Sequence, residues 1–242
     1  MSLTNMSKIV IALDFPEAAP ALQLASKLKN QNLWMKVGLE LFSRAGPDMI
    51  KTLKDMDYPV FLDLKFHDIP NTVQGATANA ARLGVNLTTI HICGGEAMVK
   101  AALAGAKEAN NSHLTILGVT VLTSLGSSDL ETEAQILGVS GQHPNPATVA
   151  LARAQSAQSW GLEGIVCSAH ETQAIKQACG KNFICLTPGI RLPGGDVQDQ
   201  KRVMTPAQAV AAGSDFLVIG RAVTAAPDPV GAVKSIFENM AK

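Results

Sequence analysis

Short runs of β-branched and other apolar residues alternate with Ala-rich segments whose apolar positions recur at helical spacing, and the alternation repeats eight times along the chain. The runs at 8–14, 33–38, 60–66, 87–93, 114–122, 164–168, 183–190 and 216–220 read as strands. Helical sequence follows each of them, for example over 17–28 and 97–109, with capping residues ahead of it and Gly behind. Eight strand–helix units in 242 residues average about 30 residues each, the size of one βαβ step. The pattern therefore predicts an α/β fold, a single (β/α)8 TIM barrel occupying 1–242 as one domain. A doubly wound open sheet is the alternative, but Asp14-Phe15-Pro16-Glu17 stands after the first strand where that fold would carry G-x-G-x-x-G. Two connections, 123–146 and 191–206, are longer than a barrel requires, and loops of that length are usually functional or mobile.

Composition narrows the picture. Hydrophobic residues make up 47% of the chain and charged residues 17%, enough apolar material for a large core and too little charge for disorder. Lys plus Arg is 20 and Asp plus Glu is 20, so no overall charge favours nucleic acid or a membrane surface as partner. The four cysteines, Cys93, Cys167, Cys179 and Cys185, include no C-x-x-C pair and are expected to be free thiols in a reducing compartment. The first apolar run, 9–13, is too short for a signal sequence, and no stretch of about 18 apolar residues follows; a soluble, cytoplasmic protein is expected.

In a βα barrel the chemistry sits at the C-terminal ends of the strands, which puts weight on Asp14, Lys36, Asp63, Lys65, Thr123, Arg191 and Arg221. Side chains alternate along a strand, so in Phe61-Leu62-Asp63-Leu64-Lys65-Phe66 the residues Asp63 and Lys65 share one face and Leu62, Leu64 and Phe66 the other. The apolar set belongs against the helices, which aims Asp63 and Lys65 into the barrel mouth. Unpaired buried charge is costly, so these two imply partners, and Lys36 and Asp14 on neighbouring strands are placed to serve. Alternating carboxylates and ammoniums hold one another ionised; at about 4 Å and an effective dielectric near 20, one pair interacts by roughly 4 kcal/mol before desolvation is subtracted. The competing reading is a structural ion-pair cluster, with Asp14 capping the first helix and Asp68 the third. Neither cap accounts for Lys36 or Lys65.

A second group closes strands seven and eight: Pro188-Gly189-Ile190-Arg191 and Ile219-Gly220-Arg221. Loops in these positions commonly hold phosphate, because Gly lets backbone N–H groups approach the oxygens and Arg offers a bidentate fork. Gly220 and Arg221 are the strongest candidates, against the reading of a turn glycine beside a solvated arginine, and 191–205 reads as a loop able to close on a ligand. His67, His91, His113, His143 and His170 show no metal-ligand spacing, so no metal site is expected. Cys93 and Cys167 read as strand residues of the core, Ser124 and Ser168 lack a paired base, and His67 reads as a polar loop residue.

These residues together resemble the orotidine 5'-phosphate decarboxylase family of the bacterial type, nearly end to end. The resemblance is carried by Ala12-Leu13-Asp14, Lys36-Val37-Gly38, the eleven-residue run from Asp63 to Val73 that contains His67-Asp68-Ile69-Pro70-Asn71-Thr72, Val121-Leu122-Thr123-Ser124, Pro188-Gly189-Ile190-Arg191 and Val218-Ile219-Gly220-Arg221. It implies decarboxylation of orotidine 5'-monophosphate to uridine 5'-monophosphate and carbon dioxide, the last step of pyrimidine nucleotide synthesis, with no metal or organic cofactor. It implies Lys65 as proton donor to C6 within an array of Lys36, Asp63, Lys65 and an Asp68 supplied by the second subunit of a homodimer. Asp14 and Lys36 would contact the ribose, joined by Thr72 across the dimer. Thr123 would lie near the pyrimidine, and Arg191, Gln200, Gly220 and Arg221 would hold the phosphate or its closing loop. Two other readings stay open: a magnesium-dependent sugar-phosphate aldolase of the same superfamily, similar to hexulose-phosphate synthase, which wants an acidic ligand where Lys36 stands, and a non-catalytic nucleotide-phosphate-binding barrel.

Overall fold

A computed structural model describes residues 7–109, 114–139, 141, 143–192 and 203–241. Eight parallel strands close a barrel in sequence order: β1 (Lys8–Ala12), β2 (Trp34–Gly38), β3 (Val60–Phe66), β4 (Leu87–His91), β5 (Thr115–Val119), β6 (Gly164–Val166), β7 (Ile184–Thr187) and β8 (Phe216–Ile219). Every strand expected from the hydrophobic pattern is present, several shorter at their ends. The expectation of one helix per strand is too simple. α1 (Ala18–Lys27) follows β1, but α2 (Leu39–Ala45) and α3 (Pro47–Asp55) both follow β2. α4 (Pro70–Arg82) and α5 (Gly95–Glu108) follow β3 and β4. α6 (Ser127–Ile136) and α7 (Pro146–Ser159) share the next connection, and α8 (Ala169–Cys179) and α9 (Pro206–Ala211) follow β6 and β7. After β8 come the short α10 (Arg221–Thr224) and α11 (Pro229–Met240).

The period of two along the strands sorts side chains between two cores. Val10, Ala12, Phe61, Leu87, Leu117, Leu186, Phe216 and Val218 point inward and fill the barrel. Ile9, Ile11 and Leu13 alternate with them, point outward to the helices and are fully buried. Each such side chain contributes roughly 1.5–3 kcal/mol by leaving water. The barrel also depends on one close approach: a Cβ on Gly164 would stand 2.4 Å from both the Cβ and the carbonyl oxygen of Ile184, so only glycine lets β6 lie against β7.

Helix starts use proline and short polar side chains. Pro70, Pro146, Pro206 and Pro229 open their helices, and Asn145, Ser168, Thr205 and Asp228 accept hydrogen bonds from the first-turn amides of α7, α8, α9 and α11. Ser168 thus has a structural role, reciprocated by Glu171 in a capping box. The two aspartates considered as caps do not serve that way. The N-cap of α1 is Glu17, with no side-chain cap, and α4 follows Ile69, whose amide donates to Asp68 Oδ1 at 2.6 Å. The long 123–146 connection owes its length to α6, whose Leu130 packs with Val121 and Ala150 in a small separate cluster. Cys93 differs from expectation too: it is exposed in a 3₁₀ turn after β4, while Cys167, Cys179 and Cys185 are buried free thiols. None of the described helices is long and apolar enough to cross a membrane.

Candidate active site

At the C-terminal mouth, the inward positions of β1, β2 and β3 turn from apolar to charged. Lys36, only 7% exposed, places its Nζ 2.8 Å from Asp14 Oδ1 and 3.8 Å from Asp63 Oδ2. Lys65 Nζ sits 2.8 Å from the same Asp63 oxygen. Two carboxylates and two ammoniums therefore form one continuous row, in the order Asp14, Lys36, Asp63, Lys65. Asp14 is at the open end of the row, and the Asp63 side chain, 13% exposed, is at its sheltered centre. Each ammonium is held by short charge-assisted contacts, which fixes its direction as well as its charge.

The backbone of β3 is irregular where the row ends. The pairing of β3 with β4 shifts register between Leu62 and Phe66, and Lys65 takes a left-handed conformation with φ 51°. The faces fall as the sequence predicts, with Leu62 and Leu64 packed against the outer core and Phe66 against its neighbour, but regular alternation does not bring them there. Thr89, fully buried on β4, bridges the irregularity. Its hydroxyl accepts the Lys65 amide at 3.1 Å and donates to Asp63 Oδ1 at 2.9 Å. On β2, Gly38 keeps the approach open: a Cβ there would lie 2.9 Å from Lys36 Nζ and 3.3 Å from Asp14 Oδ1.

A cavity of about 480 Å³ joins this row to the far side of the mouth, where Thr123, Arg191, Gly220 and Arg221 line the same space. Gly220 is the residue before α10 and Arg221 its first residue, so the pair sits directly beyond β8. The base of the 191–205 segment is pinned: Ile190 and Met204 form a parallel bridge, and the Arg191 amide donates to the Met204 carbonyl at 3.0 Å. Gln200 lies outside the described residues. Asp68 and Thr72 do not line the cavity. They are exposed on the turn after β3 and the first turn of α4, beside Ile69, which is 67% exposed.

Three residues at the mouth have no site role in the sequence reading: Gly38, Thr89 and His91. Thr89 and His91 share the parity of inward Leu87 on β4, a signal present in Leu87-Thr88-Thr89-Ile90-His91 that a generic strand composition conceals. Burial, and then electrostatic repulsion by the neighbouring His67, Lys65 and Arg153, hold the His91 imidazole below its usual pKa, with Asp63 opposing them. His67 is exposed, as its loop reading implied, with its ring centroid 5.5 Å from that of His91 and its Nε2 3.8 Å from Cys93 Sγ. A larger hollow, of about 1080 Å³, opens at the opposite end of the barrel around Lys8, Trp34, Lys176 and Asp215. It lacks the row of strand-end charges, and barrels of this type work from the C-terminal face.

The fold and this charged cavity define a (β/α)8-barrel enzyme site, with an ammonium row on one side and Gly-Arg ends on the other. The chain belongs to the orotidine 5'-phosphate decarboxylase / HUMPS family, which it matches over residues 7–236. It is 49% identical over 241 residues to the orotidine 5'-phosphate decarboxylase of Nitratidesulfovibrio vulgaris strain DP4, covering 98% of both chains. It is 46% identical over 233 residues to that of Legionella pneumophila strain Corby, covering 96% of this chain and 99% of the relative. The crystal structure of the orotidine 5'-phosphate decarboxylase from Lactobacillus acidophilus superposes with a TM-score of 0.84 at 34% identity, covering 98% of this chain and 100% of that one.

Proposed function

We propose that this chain decarboxylates orotidine 5'-monophosphate to uridine 5'-monophosphate and carbon dioxide, completing pyrimidine nucleotide synthesis without a cofactor. The observation that carries the reading is the Asp14, Lys36, Asp63, Lys65 row. When the bond from C6 to the carboxylate breaks, its electron pair stays on a vinylic carbon with no carbonyl to receive it. A fixed cation must stabilise that charge and a proton must quench it. Lys65 does both: its ammonium lies beside C6 and a proton passes from Nζ to carbon as carbon dioxide leaves. Asp63 aims Lys65 and faces the departing carboxylate. Asp14 and Lys36 bind the ribose hydroxyls, Thr123 meets the pyrimidine, and Gly220, Arg221, Arg191 and Gln200 hold the phosphate or its covering loop. Phosphate binding remote from C6 converts binding energy into an organised, water-poor site.

The same row separates this reading from the metal-dependent aldolase that shares the Asp63-x-Lys65-x-x-Asp68 pattern. Lys36 Nζ fills the space between the Asp14 and Asp63 carboxylates, and a divalent cation there would face an ammonium. The proposal includes a cytoplasmic homodimer, supported by the exposure of Asp68, Ile69 and Thr72 in a run that matches the family. In it the partner's Asp68 and the partner's Thr72 complete each site, and mixing inactive Lys65→Ala and Asp68→Ala homodimers restores part of the activity through hybrid sites.

The direct test incubates EDTA-treated protein with orotidine 5'-monophosphate, follows loss of the orotate absorbance and identifies the product. Turnover is expected. Turnover that appears only after magnesium is restored would transfer the chain to the aldolase reading. Tight binding without turnover would make it a nucleotide-phosphate-binding barrel.

A further inference from the structure

We propose that Thr89 is a positioning residue for the reaction, its one hydroxyl setting both the rotamer of Asp63 and the left-handed backbone that aims Lys65. The proposal rests on the decarboxylase reading and deepens it. A threonine hydroxyl has one proton to give and lone pairs to receive, and both capacities are in use. The proton goes to Asp63 Oδ1 at 2.9 Å, which turns that oxygen toward β4 and leaves Oδ2 to face Lys65 at 2.8 Å and Lys36 at 3.8 Å. A carboxylate turned part of the way about its last bond would carry the oxygen facing Lys65 and Lys36 out of line with both ammoniums; the Thr89 hydroxyl opposes that turn.

The accepting side addresses a different difficulty. Where β3 slips register against β4, between Leu62 and Phe66, the regular ladder cannot supply a partner to every amide. The Lys65 amide finds Thr89 Oγ1 at 3.1 Å instead. A lysine at φ 51° occupies a region that L-residues enter rarely, and a partly buried hydrogen bond to its own amide helps keep it there. Thr89 is therefore tied to the proton donor through its backbone and to the donor's carboxylate partner through its side chain, without contacting the reacting carbon. Its neighbour Thr88 provides the contrast. Thr88 is equally buried, yet its hydroxyl donates outward, to the Leu62 carbonyl at 2.8 Å, and reaches no charged group.

Thr89→Val keeps volume and branching while removing the hydroxyl, Thr89→Ser restores it, and Thr88→Val deletes a buried hydroxyl one residue away. The expected result is a kcat at least about tenfold lower for Thr89→Val with KM within about threefold of wild type. Thr89→Ser should stay within about threefold in kcat, and Thr88→Val should lose melting temperature without losing kcat. Crystal structures should show the Asp63 carboxylate turned and Lys65 Nζ displaced in Thr89→Val alone. Wild-type kcat in Thr89→Val, an equal kcat loss in Thr88→Val, or an undisturbed Asp63 and Lys65 pair would overturn the proposal. If Thr89→Val does not fold, Thr89→Cys, near in size and a weak donor, is read against Thr89→Ser in the same way. A wild-type protein without turnover would instead defeat the decarboxylase reading, and the crystal structures would still decide whether Thr89 positions the pair.

Discussion

The two mouths of the barrel both hold inward lysines, and they hold them by opposite means. At the N-terminal end, Lys8 Nζ rests 5.4 Å from the centroid of the Trp34 ring and 4.9 Å from that of Phe216, and the two rings meet edge to face at 5.0 Å. This cation sits against aromatic faces, an arrangement worth roughly 0.5–1 kcal/mol where water still reaches it. At the C-terminal end, Lys36 and Lys65 are gripped by carboxylates at 2.8 Å. Aromatic faces attract a cation broadly and leave its direction loose, whereas carboxylate oxygens at hydrogen-bond distance fix where the N–H bonds point. Size alone would favour the N-terminal hollow as the working site. The hollow's own Lys176–Asp215 pair, at 2.7 Å, ties α8 to the chain ahead of β8; a continuous row of directed charges on the strands themselves selects the other mouth.

Breaking the directed end should therefore cost chemistry, and breaking the aromatic end should cost only a little stability. The largest effect is expected from Lys65→Ala, with kcat down by about a thousandfold or more and a near-normal melting temperature, measured by ultraviolet turnover and thermal denaturation. Substantial remaining kcat would remove Lys65 as proton donor. Next is Gly38→Ala, whose new methyl must push Lys36 Nζ from its place 2.9 Å away. A loss of about tenfold in kcat is expected, and unchanged kinetics would show that the row tolerates displacement of Lys36. Lys8→Met should leave kcat within about twofold and lower stability by about 0.5–1 kcal/mol in a denaturant titration. A large activity loss there would erase the distinction between the two ends.

The smallest expected effect concerns pH, and it too belongs to the directed end. His91 takes up a proton near 6.5 in the unfolded chain, and its folded value is lower because of burial and the nearby cations. The unfolded state therefore binds more protons as pH falls below that value. The His91 contribution is complete above it and is lost progressively toward the folded pKa. Unfolding midpoints at pH 7.5 and 5.5 should differ more for wild type than for His91→Gln. An equal difference would show that His91 does not couple to folding.

Much of this arrangement is legible in the sequence because it follows from period and position. Asp63 and Lys65 are separated by one residue on an otherwise apolar strand, Lys36 and Asp14 end the neighbouring strands, and Gly220-Arg221 ends the last. All of them reach one mouth. What the sequence conceals is where geometry departs from period. The left-handed Lys65 and the slip between β3 and β4 belong to the backbone, and no residue type announces them. Thr89 is hidden for the opposite reason, since threonine is ordinary in strands and only its partners distinguish it from Thr88. The second helix after β5 is obscured because its segment reads equally as a long connection, and that after β2 because only Gly46 separates α2 from α3.

The register slip in β3 bears on anyone wishing to transplant this chemistry. An Asp-x-Lys tripeptide copied onto a regular strand of another barrel would carry the same side chains on an uninterrupted pleat, without the positive φ that orients the lysine here. Its ammonium would project along a different line, and the amide at that position would seek the ordinary ladder. The portable unit is larger than the motif: it comprises the strand whose register slips, the neighbouring strand that supplies a hydroxyl at the slip, and the glycine-ended strand on the other side. Grafting should begin from those three backbones, with the charged residues added last.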